Sequence, residues 1–234
     1  MSDKLPPSLA EESTETDLAA SGDQPTIPRS PEIAVILAIA DLVESWGDEA
    51  GHQQRIETYC RLLATDMQRL PRYQSLLTEH YIDAFCLASH LHDIGKARIP
   101  DFVLRNPGRL SPEEFSIMKK HTLIGASALR PVVESFPDNL FVRLALDIAE
   151  CHHERWDGSG YPHGLAGERI PLAGRMLALC DFYDAMTSRR SHRPAFSPDK
   201  VKELIVSLRG RHFDPDIVDS FLRVEDRFRG IAGT

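Results

Sequence analysis

Ile82-Asp-Ala-Phe-Cys-Leu-Ala-Ser-His-Leu-His-Asp-Ile-Gly-Lys-Ala-Arg-Ile-Pro-Asp101 is the stretch on which the fold turns. Its first half, Ile82 to His92, is an apolar run with the spacing of a buried helix. It ends at the adjacent polar pair His92–Asp93, and Gly95 and Pro100 break it. Apolar runs with helical spacing lie on both sides of this segment. Upstream, Ile33, Ile36, Leu37, Ala40 and Val43 follow helical spacing, and so do Ile56, Tyr59, Cys60, Leu63 and Met67. Downstream, Ser111-Pro-Glu-Glu114 reads as a capping box that opens a helix running through Met118 and His121. Leu140 to His152 and Pro171 to Ser188 are further helices. Ser197-Pro198 and Asp214-Pro215 are cap-plus-proline starts, with Gly210 a stop between them. Asp157 to Gly167 holds four glycines and a proline and reads as a loop. With no alternating strand pattern and no internal repeat, the expectation is roughly seven or eight helices in one all-α domain.

Composition bounds what such a bundle does. The chain has 234 residues, 42% of them hydrophobic and 26% charged, as expected of a globular protein. Its net charge of -8 argues against a protein that coats DNA or RNA, which needs clustered Lys and Arg. Residues 1 to 31 carry six acidic and two basic residues and little apolar surface, so they read as a disordered tail before a folded domain spanning 32–230. The body is then only mildly acidic. No signal peptide is evident, and the longest apolar run, Ile33 to Ala40, is too short to cross a bilayer. Cys60, Cys86, Cys151 and Cys180 are scattered, without a Cys-x-x-Cys pair, and read as reduced, buried thiols of a cytoplasmic protein.

Chemistry is concentrated in the histidines, of which there are ten. His52 stands near a helix start, His92–Asp93 and His152–His153 at helix ends, His121 inside a helix and Asp181 in the middle of another. Each lies at the edge of an apolar face. Imidazole and carboxylate are the ligands of borderline and hard divalent ions. Facing helices of a bundle bring such ligands to one polar centre. Composition and spacing by themselves suggest a metal site.

The ordered motifs carry more. Leu91-His-Asp-Ile-Gly-Lys96 with Ile99-Pro-Asp101, His153-Glu-Arg-Trp-Asp-Gly-Ser-Gly-Tyr-Pro162, Gly164-Leu-Ala-Gly167, Ile170-Pro-Leu172, Asp181-Phe-Tyr-Asp-Ala-Met-Thr187 and Phe213-Asp-Pro215 together resemble the HD-GYP family. That family is a branch of the HD-domain metal-dependent phosphohydrolases. The resemblance covers about Ala34 to Phe221. It implies an all-α HD-domain bundle with a GYP-type extension. It also implies two, or with a third site three, divalent ions, iron or manganese, and phosphodiesterase activity on cyclic di-GMP in bacterial second-messenger signalling. By position, His52, His92, Asp93 and Asp181 match the ligands shared by HD proteins, and His121, His152 and His153 match those of a second metal, with Asp93 bridging. Asp48 stands where some members place a third-metal Glu; a helix N-terminal carboxylate is the other reading.

Lys96 is assigned to the substrate phosphate, with Gly95 letting the chain turn back toward the metals. The alternative is a solvated helix end. Gly160, Tyr161 and Pro162 border the substrate cleft in the family and also serve protein partners. Arg175 matches a substrate-pocket Arg, against a surface salt bridge. Asp184, grouped with the substrate side, either orients a ligand or is a helix-surface carboxylate. His80, His90, His163 and His212 match no ligand position. The family's usual Arg-Pro-Tyr-Arg/Lys is replaced by Arg190-Ser-His-Arg193, which puts His192 near the nucleotide in place of Tyr. Base specificity is therefore open to another cyclic dinucleotide, and a regulatory module that binds dinucleotides or proteins without turnover is the non-enzymatic alternative.

Overall fold

The structure, a computed structural model, describes residues 36, 38–40, 43, 51–189 and 194–232. The expected tail, Asp48 and the Arg190–Arg193 segment lie outside them. Of the first expected helix, residues 36, 38–40 and 43 are described and helical. The remaining helices are α1 (His52–Met67), α2 (Glu79–Ala88), α3 (Asp101–Leu104), α4 (Pro112–Met118), α5 (Lys120–Ser135), α6 (Leu140–Cys151), α7 (Leu172–Thr187), α8 (Pro198–Ser207) and α9 (Pro215–Ile231). Short 3-10 turns occupy Ser89–Leu91, Ile94–Arg98 and Gly167–Arg169. Among the described residues there is no strand, only two isolated bridges, Asp157 with Ala166 and Arg209 with Phe213. The chain is an all-α protein, as the periodicity requires.

Helix starts follow local chemistry. Ser111 and Glu114 form the reciprocal capping box at α4, with Pro112 in the first turn. Ser197 accepts from Lys200 N and Asp214 from Asp216 N, each ahead of a proline. Gly51 precedes α1 with φ 79°, a left-handed value that favours glycine.

The one helix expected to run through Met118 and His121 is two. The ladder breaks at Lys119. The ring Nδ1 of His121 bonds Met118 O at 2.8 Å, and Thr122 Oγ1 donates to Lys119 O at 3.0 Å. Side chains here take carbonyls that an uninterrupted helix would use, which is how local side-chain bonds end helices. The short helix α3 was not foreseen.

Packing of three helices sets the position of the polar centre. Ile56, Tyr59, Cys60, Leu63 and Met67 of α1 are all fully buried. Tyr59 stacks on Phe228 of α9 at 4.6 Å between ring centroids, and Phe228 meets Tyr183 of α7 edge-on at 5.2 Å. Such aromatic contacts contribute about 0.5–1.5 kcal/mol each beyond the burial itself. They lock α1 against α7, and the start of α1 then lies beside the middle of α7. The first ligand group is assembled there.

Gly95 owes its identity to close packing, not to a turn back toward the metals. A Cβ on it would lie 2.0 Å from His121 O and 2.6 Å from Gly125 N. Its φ is not in the left-handed region. The Ile94–Arg98 turn thus presses directly on α5.

Candidate metal centre

Two groups of ligand atoms meet at the helix ends. Nitrogen and oxygen atoms of Asp93, His121, His152 and His153 lie within 4.8 Å of one another, and so do those of His52, His92 and Asp181. The seven residues come from five places: the first residue of α1, the junction after Leu91, the start of α5, the end of α6 and the middle of α7. Asp93 sits between the groups. Its Oδ2 is 3.2 Å from His92 Nε2, and its Oδ1 is 3.2 Å from His121 Nε2 and 3.9 Å from His152 Nε2. On the other side, His52 Nε2 is 3.9 Å from Asp181 Oδ1.

Four of the imidazoles are aimed by their far nitrogen. Nδ1 of His92 faces Ser89 O, that of His121 faces Met118 O and that of His152 faces Ile148 O, all at 2.8 Å. Nδ1 of His52 faces Asp184 Oδ2 at 2.7 Å. Carbonyls and carboxylates only accept, so Nδ1 carries the proton and Nε2 presents a lone pair inward. His121 Nε2 and His152 Nε2 then confront each other at 3.5 Å, next to Asp93 Oδ1, which no hydrogen bond reaches among the described residues. Three converging lone pairs without a proton between them are stable only around a cation.

Titration agrees with this. Burial, reinforced by His92, pushes His152 down to about 3. Burial likewise lowers His121, with Lys96 adding to it, and lowers His153, with His152 adding to it. Burial works to raise Asp93, but Lys96 and His92 outweigh it and hold the carboxyl well below its usual range. Neutral imidazoles and an ionised carboxylate are the protonation states that bind metal. The residues fit a divalent-ion site.

Lys96 turns its ammonium onto Asp93 Oδ2. It is partly buried, not a solvated helix end. The glycine-rich loop is built against the group that holds His153. Tyr161 stacks on His153 at 4.8 Å, and Tyr161 N donates to His153 O at 3.2 Å. A Cβ on Gly160 would lie 2.4 Å from Arg155 N, so the chain admits only glycine there. Glu154, buried at 2% exposure, accepts His163 N at 2.7 Å and Leu165 N at 3.0 Å and so holds the loop's far limb. Pro162 continues this loop.

Two residues grouped with the substrate side are engaged elsewhere. Asp184 has no exposed surface; it binds His52 Nδ1 and accepts two bonds from Arg55, at 2.7 and 3.1 Å. It orients the His52 ring and is not a helix-surface carboxylate. Burial would raise its pKa, yet His52 and Arg55 lower it. Arg175 is half-buried and engaged, not a free surface cation. It pairs with Asp214 at 2.5 Å and donates to Ile170 O at 2.9 Å, tying the start of α7 to the cap of α9.

The bystander histidines stay outside: His90 pairs with Glu57 at 2.9 Å, His163 with Glu150 at 3.0 Å, His212 stacks on Phe213 at 4.3 Å, and His80 is exposed. All four cysteines are free and buried. Arg55 and Glu154 escaped the sequence reading. Arg55 falls one helical turn after His52, on the same face, which was the available signal.

An all-α bundle that gathers imidazoles and carboxylates from its helix ends into two buried groups is a metal-site protein of the helical kind. The sequence pattern of the HD domain matches residues 48–217, and the chain belongs to that family, in its HD-GYP branch. It is 47% identical over 198 residues to a Vibrio cholerae cyclic di-GMP phosphodiesterase, covering 84% of this chain and 40% of the relative. It is 37% identical over 192 residues to a Thermotoga maritima cyclic di-GMP phosphodiesterase, covering 81% and 49%. A Vibrio cholerae 3′3′-cGAMP-specific phosphodiesterase is 36% identical over 201 residues, covering 86% and 36%. The chain thus spans less than half of these relatives' length. In fold it is similar to a crystal structure of a V. cholerae cyclic GMP-AMP-specific phosphodiesterase, with TM-score 0.56 and 18% identity over 86% of this chain and 51% of that one. No described helix is long and apolar enough to cross a membrane.

Proposed function

We propose that this protein is a metal-dependent phosphodiesterase that opens cyclic di-GMP to linear pGpG and cleaves that further to GMP. The observation that carries the reading is the meeting of the His121 and His152 lone pairs with Asp93 Oδ1, beside a second group that Asp93 Oδ2 faces. In this proposal His52, His92 and Asp181 hold one divalent ion and His121, His152 and His153 a second, with Asp93 shared; iron and manganese suit such a donor set. A pair of ions in such a centre acidifies a water to near-neutral pKa and neutralises phosphate oxygens. The chain's own groups do the rest. The helix carbonyls and Asp184 keep each imidazole's lone pair inward. Lys96 would leave Asp93 and turn its ammonium to a non-bridging phosphate oxygen, where negative charge grows as water adds to phosphorus, the P–O3′ bond breaks and the proton given up by the water ends on O3′. Tyr161, its phenol raised by burial and by the charges of Asp93 and Asp181, stays neutral and able to donate a hydrogen bond at the cleft edge. Four reduced thiols support a cytoplasmic location, and the loop's exposed Asp157, Ser159 and His163 offer a face for protein partners.

The test is turnover. Protein loaded anaerobically with Fe(II) or Mn(II) is incubated with cyclic di-GMP, and pGpG and GMP are resolved by chromatography. Product with either metal supports the reading, and none with both overturns it. A second substrate, 3′3′-cyclic GMP-AMP, is favoured by the resemblance to the cGAMP-specific relative. The ratio of kcat/KM for the two dinucleotides decides between them.

A further inference from the structure

Phe115 is 46% exposed although it stands beside a buried polar centre. It meets Tyr161 edge-on at 6.2 Å, and Tyr161 in turn is stacked on His153. Lys119 lies one helical turn after Phe115, in the break between α4 and α5, and is two residues from His121. Its Nζ is 5.4 Å from the Phe115 ring centre and 5.8 Å from that of Tyr161. Among the described residues no carboxylate pairs with Lys119, and its ammonium faces the two rings instead. Here an aromatic face is open to solvent and a cation lacks an acidic partner, and both flank the second ligand group. Core packing explains neither, because Phe115 is not in the core. A planar ring carrying a phosphate satisfies both.

We infer that Phe115 and Lys119, backed by Tyr161, form a nucleotide subsite: a base stacks on the open Phe115 ring while Lys119 holds the phosphate that is not being cleaved. The inference rests on the proposed phosphodiesterase reading and extends it from the reacting diester to the other half of the dinucleotide. The break that the His121 and Thr122 side-chain bonds make leaves Lys119 just ahead of α5, with its Nζ 5.8 Å from the Tyr161 ring centre.

The experiment compares Phe115→Ala, Phe115→Trp and Lys119→Met with the parent protein, all metal-loaded and matched for metal content. For Phe115→Ala the expected KM for cyclic di-GMP rises roughly tenfold to a hundredfold, more than kcat falls, and Phe115→Trp restores it. Lys119→Met raises KM and flattens its dependence on salt concentration. In parallel, 2-aminopurine riboside 5′-monophosphate is titrated into each protein, since stacking quenches its fluorescence; quenching by the parent and its loss in Phe115→Ala are expected. Turnover with KM unchanged in Phe115→Ala and Lys119→Met overturns the subsite and leaves the substrate reading standing. A raised KM that tryptophan fails to restore points to loop disturbance and also overturns stacking. If the parent turns over no cyclic dinucleotide, the substrate reading falls and the aminopurine titration decides the subsite: quenching lost in Phe115→Ala supports it, and no quenching overturns it.

Discussion

His52 and His152 are both buried imidazoles whose Nε2 faces the polar centre, yet they are aimed by different means. His152 is held through the Ile148 carbonyl of the helix that it follows, and His121 through the Met118 carbonyl at the end of the preceding helix. His52 is held by the Asp184 carboxylate, which Arg55 grips from the same helix that carries His52. A carbonyl belongs to the main chain and survives every substitution of its residue except those that disturb the helix. A carboxylate is removed by one codon. The Asp93–His121–His152–His153 side is therefore built into the helix ends, while the His52–His92–Asp181 side depends in part on a three-residue side-chain relay. The carboxylate gives something in return: an anion behind a histidine raises its basicity as a ligand more than a carbonyl does.

The largest expected effect removes the residue common to both sides. Asp93→Ala is expected to lower turnover of cyclic di-GMP by at least ~1,000-fold and to reduce bound metal below one ion per chain by elemental analysis. Retention of two ions would break the idea that Asp93 joins the groups. Next, Gly95→Ala strikes the seam where the Asp93 segment presses on α5. With His121 O only 2.0 Å from the new Cβ, the backbones must part. A loss of about 3 kcal/mol is expected from the urea midpoint, together with weaker metal binding on the His121 side.

Asp184→Asn sharpens the comparison itself. It should weaken metal binding about 10- to 100-fold, measured by chelator competition, and only for the ion on the His52 side. Equal weakening of both ions would mean that the two sides are not independently aimed.

The smallest effect is one of pH on the metal-free protein. In the folded chain His152 is held down to about 3, against an ordinary value of 6.5. Between those values the unfolded chain binds the proton that the folded one refuses. Stability is therefore full above about 6.5 and falls as the pH drops toward 3, by about 2 kcal/mol at pH 5 from this residue. Urea melts at pH 7 and pH 5 in chelator read it directly. Saturating metal should oppose the loss just below pH 6.5 and fail at lower pH as protons displace it.

Much of the bundle was legible because apolar spacing, caps and prolines act over a few residues. The capping box at Ser111 and the starts at Pro198 and Pro215 stand as expected. The break at Lys119 was not legible, since it depends on His121 and Thr122 bonding carbonyls in preference to the helix ladder. The candidate ligands His52, His92, Asp93, His121, His152, His153 and Asp181 follow from motif order, and the structure gathers all seven into the two groups. The supporting residues were harder. Asp184 looked equally like a surface carboxylate, and Arg175 like a surface cation. Burial is a property of what packs over a residue: His52 and Arg55 reach Asp184 from more than a hundred positions away, and Asp214 reaches Arg175 from 39.

The sequence by itself determined that the chain is helical, where most helices begin, and which imidazoles and carboxylates stand at their ends, because these follow from local periodicity, local hydrogen bonds and motif order. Only the tertiary structure decided which of those groups face one another, which nitrogen of each histidine points inward, and which face of α4 is left open beside Tyr161. Those depend on how α1, α5, α6 and α7 pack, where one contact such as Gly95 against His121 O sets the distance between elements that local chemistry cannot fix.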